Sequence, residues 1–238
     1  MKIIPGILEQ SFEEIQSRVE EVVQQVKRVQ VDICDGAFVQ SKTWPYSHMT
    51  TGRIEENFHI NRLQSEEIGL PSWDKVEYQF DLMIKNPWHT MPVWAKVGAT
   101  SVVIHPTSCE SIEKVKEAIR IADEYMMEVY LAYTYDEWNT AKETLTDVLT
   151  EPAVKGIQCM TIERIGVQGQ SFDVRWVHEF SYIKTNFPNL QLQLDGGISE
   201  RNEREIQESG ADSLVIGSAI FEEGNPTENS MFYKKIFA

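Results

Sequence analysis

The chain has 238 residues, 42% of them hydrophobic and 25% charged, with a formal charge of −15. That length fits a single α/β barrel with a large core. The acidity argues against a nucleic-acid binder, which needs a basic stripe along the phosphate backbone.

No apolar run reaches the length of a membrane span, and the opening Met1-Lys2-Ile3-Ile4-Pro5 is too short for a signal peptide. Three cysteines, Cys34, Cys109 and Cys159, are odd in number and lack CxxC spacing. They point to free thiols in a reducing cytoplasm rather than to a disulfide frame or a zinc site. No Gly, Ser or Pro-rich linker divides the chain, so residues 1–238 are read as one domain.

Lys2 to Leu8 reads as a strand, and the stripe Phe12, Ile15, Val19, Val22, Val23, Val26 predicts a helix from about Ser11 to Lys27. Arg28 to Cys34 alternates as strand two and runs into the Asp35-Gly36 turn. Residues 44–73 lack a clear period and read as a long loop with one short helix near Arg53 to Leu63. Loops of that length tend to serve as lids or partner surfaces, and Trp44 and Trp73 suit either role. A homo-oligomer is one expectation that follows.

The alternation then continues: strand Val76 to Ile84, helix Pro87 to Val97, strand Ser101 to His105, helix Cys109 to Tyr125, strand Glu128 to Ala132, helix Glu137 to Leu149. Gly156 to Ile162, Leu190 to Leu194 and Ser213 to Ile216 complete the strands, with helices at Val174 to Thr185, Ser199 to Gly210 and Pro226 to Phe237. Eight strands alternating with helices predict a (β/α)8 TIM barrel, because closure pairs both sheet edges. Trp88, Trp94, Trp138 and Trp176 fall in the helices and read as packing between helices and barrel. No G-x-G-x-x-G follows the first strand, against a dinucleotide-binding sheet.

Two late stretches carry chemistry. Leu194-Asp195-Gly196-Gly197-Ile198 and Ile216-Gly217-Ser218-Ala219-Ile220 each end an apolar run on small residues, which lets backbone N–H groups approach a phosphate. In barrels the loops after strands seven and eight commonly hold one. Ordinary turn glycines are the alternative. Asp32, Asp81 and Asp195 lie at or near strand C-termini, and a barrel opens all such ends onto one face. A lone aspartate there reads as a cap or turn residue. Three beside a phosphate cradle favour a site.

Val31-Asp32-Ile33-Cys34-Asp35-Gly36-Ala37-Phe38-Val39, Met160-Thr161-Ile162-Glu163 with Gly169-Gln170-Ser171-Phe172, Asp195-Gly196-Gly197 and Gly217-Ser218-Ala219-Ile220 together resemble the ribulose-phosphate 3-epimerase family. The resemblance spans nearly the whole chain in motif order, with an enlarged segment after strand two. It implies a ribulose-phosphate-binding barrel in which Asp32 and Asp195 stand on opposite sides of C3 of a ketose phosphate. One removes a proton and the other returns one to the opposite face, through an enediolate stabilised by a divalent metal. It assigns the phosphate to Gly166, Gly169, Gly196, Gly197, Gly217 and Ser218. Cys34, Met83 and Met160 become the cap over the reacting carbon.

Departures fall in the same place. The family's metal-binding histidine two residues before the first catalytic aspartate is Gln30, and a second, on strand three, is Asp81. The early Pro-Ser-Ile-Leu is Pro5-Gly6-Ile7-Leu8, and the Pro-Asn after Phe38-Val39 is Gln40-Ser41. A ligand set of Asp32, Asp81, Asp195 and the Gln30 carbonyl is all oxygen, which suits magnesium, manganese or calcium rather than zinc or iron. Without a cation, three converging carboxylates repel and one keeps its proton near neutrality. His105 ends strand four, where a structural role is as reasonable as a chemical one.

Three readings follow. The first is a cytoplasmic ketose-phosphate epimerase working through Asp32 and Asp195. The second is a non-catalytic phosphosugar-binding barrel that has lost its metal site. The third is decarboxylation or aldol cleavage on the same scaffold, and it lacks the expected lysine, since Asp32-Ile33-Cys34-Asp35 has no Asp-x-Lys-x-x-Asp.

Overall fold

A computed structural model describes residues 1–49, 53–222 and 224–237. Eight strands, β1 (Lys2–Ile7), β2 (Arg28–Cys34), β3 (Glu77–Met83), β4 (Ser101–Ile104), β5 (Glu128–Thr134), β6 (Val154–Met160), β7 (Gln191–Asp195) and β8 (Ser213–Ile216), pair in sequence order. All pairs are parallel, and β1 closes on β8 through Lys2 opposite Ser213. This is a (β/α)8 TIM barrel.

The helices are α1 (Phe12–Val22), α2 (Phe58–Gln64), α3 (Met91–Val97), α4 (Ile112–Glu124), α5 (Tyr135–Ala141), α6 (Thr146–Leu149), α7 (Val177–Asn186), α8 (Glu203–Glu208), α9 (Ser218–Phe221) and α10 (Pro226–Ile236). Among the described residues none is long and apolar enough to cross a membrane.

Local sequence explains where elements start. Ser11 caps α1 with a reciprocal box: its hydroxyl accepts from the Glu14 N–H, and the Glu14 carboxylate accepts from the Ser11 N–H at 2.9 Å. Such a cap stabilises a helix by about 1 kcal/mol. Phe12, Ile15, Val19 and Val22 then bury one face of α1 against the barrel.

Two predicted helices come out segmented. Thr134 and Glu137 form a second capping box that starts α5 at Tyr135, and the expected continuous helix to Leu149 divides into α5, a 3-10 turn at Lys142–Thr144 and α6. The expected Ser199 to Gly210 helix begins as a 3-10 turn at Glu200–Asn202. There the Asn202 side chain accepts from Ser199 N–H at 3.0 Å and donates to Gly197 O at 2.8 Å, which ties the helix start to the glycine turn.

The long segment behaves differently from a mouth-covering lid. Trp44 is buried beside Phe12, their rings 5.5 Å apart, and His59 of α2 stacks on the same Phe12 at 4.7 Å. Asn57 caps α2 and donates to Pro45 O. Trp73, 70% exposed, lies against Gly69 and shares a second cavity with Lys27, Val76 and Glu77 at the starts of β2 and β3. That is the end of the barrel away from the strand C-termini, so Trp73 does not cover the mouth. Residues 50–52 of this segment lie outside the described residues.

Strand pleating sorts side chains into two cores. On β2 the outward set Val29, Val31 and Ile33 joins the large cluster under the helices, where Trp94, Trp138 and Trp176 are fully buried. The inward set of β2 is Gln30, Asp32 and Cys34. Register places Gln30 opposite Gln79 and Asp32 opposite Asp81. Barrel interiors are normally filled by branched apolar layers. Here one apolar cluster of the interior is Val103, Tyr130, Ala132, Met160 and Ile162. Beside it lies a layer of four glutamines, Gln30, Gln79, Gln158 and Gln193, each with no exposed surface.

Candidate active site

The strand sequences repeat a short word: Gln30-Val31-Asp32, Gln79-Phe80-Asp81 and Gln193-Leu194-Asp195, with Gln158-Cys159-Met160 as a variant. A period of two puts both ends of each word on the inner face, so the glutamines form a floor directly beneath three aspartates. The aspartates were legible in the sequence as strand-end acids. The glutamine floor went unnoticed except for Gln30, although the repeated word was its signal.

Asp32, Asp81 and Asp195 do converge. One amide nitrogen, Gln30 Nε2, donates to Asp32 Oδ1 and to Asp195 Oδ2, each at 2.9 Å. A second, Gln158 Nε2, donates to Asp81 Oδ2 at 2.8 Å and to the same Asp195 Oδ2 at 2.9 Å. The other oxygen of Asp81 lies 2.7 Å from Nε2 of His105, with both side chains fully buried.

The floor has a single polarity. Ser213 donates to Gln193 Oε1 at 3.1 Å. Gln193 Nε2 in turn approaches the carbonyl oxygens of Gln158, Gln79 and Gln30 at 2.6, 3.0 and 3.3 Å. Both Gln30 and Gln158 therefore aim their oxygens at the floor and their N–H groups at the acids.

Charges crowded in a buried place shift the acids upward. Burial raises Asp32 well above the usual carboxylate range, and the Asp195 and Asp81 charges raise it further, against the Gln30 hydrogen bond. Burial followed by the Asp81 charge pushes Asp195 up to about 7, again opposed by Gln30. Burial alone would lower His105, but the adjacent Asp81 carboxylate outweighs it and the imidazole is raised above its ordinary value.

A cavity of about 690 Å³ is lined by all three aspartates, by Met83 and by Met160. Cys34, expected beside these methionines, is fully buried behind Met83, its Sγ 4.0 Å from Met83 Sδ. The same cavity is lined by Gly166, Gly169, Gly196, Gly197, Gly217 and Ser218, so the expected cradle and the acids share one space.

At Gly196 and Gly197 positive φ and close approach together leave no room for a side chain. A Cβ on Gly197 (φ +67°) would sit 2.4 Å from Phe172 N, and one on Gly196 (φ +103°) would sit 2.6 Å from Ile162 Cγ2. At Gly217 the nearest atom would be Gln168 Nε2 at 2.5 Å, so this side chain reaches across the cradle from the Gly166 to Gly169 loop. Gln168 and Arg201, which also line the cavity, were not singled out from the sequence.

The divalent metal implied by the sequence resemblance meets a poor donor set. A cation needs lone pairs facing it. The Gln30 carbonyl, expected as a ligand, instead accepts from Gln193, and the amide hydrogens occupy the space between the acids. Asp81 is engaged by His105 and Gln158. Among the described residues no three His, Cys, Asp or Glu side chains are arranged to hold a metal ion. Asp32, Asp81, Asp195 and Gln30 thus come together, but as an amide-bridged cluster and not as a cation cage.

Residues 2–221 match the sequence profile of the ribulose-phosphate 3 epimerase family. The chain is 25% identical to the ribulose-phosphate 3-epimerase of Candida glabrata, covering 98% of this chain and 91% of that protein. It is 25% identical to the enzyme of the same name from Schizosaccharomyces pombe, covering 95% and 90%. Among solved structures, 3-hexulose-6-phosphate synthase from Salmonella typhimurium superposes with a TM-score of 0.67 at 14% identity, covering 100% of this chain and 98% of that one. That last likeness speaks for the fold alone.

Proposed function

Given that the chain belongs to the ribulose-phosphate 3-epimerase family, we propose that it is a ketose-phosphate epimerase in which Asp32 and Asp195 exchange a proton with C3. The single observation that carries this reading is the shared partner of the two acids. Both carboxylates bond one amide nitrogen, so they stand within the sum of two hydrogen-bond lengths, on a cavity that the glycine loops also line.

Epimerisation requires one acid ionised and the other protonated at the same moment. Two carboxylates this close, with Asp195 pushed up to about 7, favour holding one proton between them near neutral pH. The ionised member takes the proton from C3, leaving an enediolate. The protonated member gives its proton to the opposite face of that carbon. The charges of the pair are thereby exchanged, which readies the site for the reverse direction. Met83 and Met160 present apolar surface to the same cavity and would keep water from the carbanionic face. The phosphate would rest against the Gly197, Gly217 and Ser218 backbone, with Gly197 leaving no room for a Cβ beside the Phe172 backbone.

Proton NMR of ribulose 5-phosphate, or of a ketohexose 6-phosphate, incubated with the protein in D2O tests the reading. Loss of the C3–H signal with appearance of the epimer is expected. Phosphosugar binding without any C3 exchange would instead establish the non-catalytic alternative.

A further inference from the structure

We propose that the side-chain amides of Gln30 and Gln158 take the place of a divalent cation between the carboxylates, as positioning residues, so that this site is assembled without a resident metal. The inference about assembly stands on hydrogen-bond geometry. Its catalytic consequence rests on the epimerase reading.

Three carboxylates facing one cavity need compensating positive charge or donors. Each acid has an identified one. Asp32 takes one N–H of Gln30, and Asp195 takes N–H groups from both Gln30 and Gln158 on a single oxygen. Asp81 takes the second N–H of Gln158 on one oxygen and faces His105 with the other. The two amides supply two N–H groups each, and together they bridge the acids in a row: Asp32, Gln30, Asp195, Gln158, Asp81.

The direction of these bonds is fixed from below. Gln193 sends its nitrogen toward the carbonyls of Gln158 and Gln30, and its own carbonyl is taken by Ser213. Rotating the Gln30 amide by half a turn, to offer its oxygen to a cation, would place N–H against N–H over Gln193 and leave Asp32 and Asp195 without their shared donor. The floor therefore opposes the ligand arrangement a metal needs. Coordinating the cation would require several buried residues to reverse together. On β2 the Gln-x-Asp word brings donor and acid in together as Gln30 and Asp32, while the second donor, Gln158, comes from Gln158-Cys159-Met160 on β6.

The test measures metal dependence without reference to turnover. Protein purified without chelator is analysed for bound metals, and its melting temperature is recorded with EDTA, manganese or zinc. The proposal expects fewer than about 0.1 metal ions per chain and a melting temperature unmoved by any of the three additions. The variant Gln30→Glu replaces two N–H donors by acceptors at nearly constant shape. It is expected to melt several degrees lower in EDTA and to be raised by manganese. If the epimerase reading holds, C3 exchange by the wild type is unchanged by EDTA, whereas exchange by Gln30→Glu falls in EDTA and recovers with manganese. One tightly held metal per chain, or a cation-dependent rise in wild-type melting, would overturn the proposal. Should Gln30→Glu fail to fold, the wild-type arm decides. A protein that catalyses no exchange yet shows metal-independent melting would reject the proposed activity and keep the amide-bridged site.

Discussion

His105 and Asp81 face each other at 2.7 Å inside the barrel, both without exposed surface. The imidazole comes from the residue following β4 and the carboxylate from β3, so the pair joins neighbouring strands at the wall of the cavity that Asp81 lines. Removing one partner of a buried ion pair leaves an uncompensated charge and costs about 3–5 kcal/mol. His105→Phe should therefore lower stability by about that amount, whereas Asp81→Asn with His105→Phe should recover part of it. Urea unfolding of the two single variants and the double variant gives the coupling directly.

Neutralising either acid of the proposed proton-transfer pair should slow exchange while leaving the cradle intact. Asp195→Asn and Asp32→Asn are each expected to slow C3 deuterium uptake by about 10²–10⁴-fold, the usual loss for a general acid or base. Phosphate-ester binding, followed by calorimetry, should survive in both. Equal loss of binding in both variants would show that the acids support the cradle and not the chemistry.

The elevated Asp195 carboxyl predicts the sign of a pH effect. Its ordinary value is 3.8 and the folded protein raises it to about 7, so across that window the folded state holds a proton that the unfolded state has released. Stability attributable to this group is thus greatest below the unfolded value and falls as pH rises toward 7. Urea midpoints measured along this range should decline more steeply for the wild type than for Asp195→Asn, which cannot titrate.

Gly197 and Gly217, both lining the cavity, should respond differently to alanine. Gly197→Ala forces a positive φ and a 2.4 Å approach to the Phe172 backbone, which cannot move aside cheaply. It is expected to cost about 1–3 kcal/mol in stability and to abolish phosphate binding. Gly217→Ala meets the end of the Gln168 side chain, which can swing away. It should keep near-wild-type stability and lose affinity for phosphate esters alone. Thermal melting with and without inorganic phosphate separates the two effects.

The amino-acid sequence by itself determined the barrel and the acids. Alternation of apolar runs with amphipathic stripes specified eight strand–helix units, and Arg28–Cys34 matches the structure residue for residue. Asp32, Asp81 and Asp195 were legible because parallel strands in a barrel end on one face whatever their separation in sequence. Helix segmentation at Glu200–Asn202 was hidden, because a single asparagine hydrogen-bonding back to the glycine turn outweighs the helical pattern. Trp73 was similarly out of reach, since its position depends on how the segment before β3 packs at the barrel's far end.

What only the tertiary structure decided is the orientation of the amides. A glutamine offers a donor and an acceptor of nearly equal shape, and sequence does not say which of them faces an acid. Closing the barrel brings Ser213 to Gln193 and Gln193 to Gln30 and Gln158, across strands far apart in the chain. Each hydrogen bond in that stack fixes the next. The N–H groups of Gln30 and Gln158 are left facing Asp32, Asp81 and Asp195, where residue types alone allow either a cation or a retained proton.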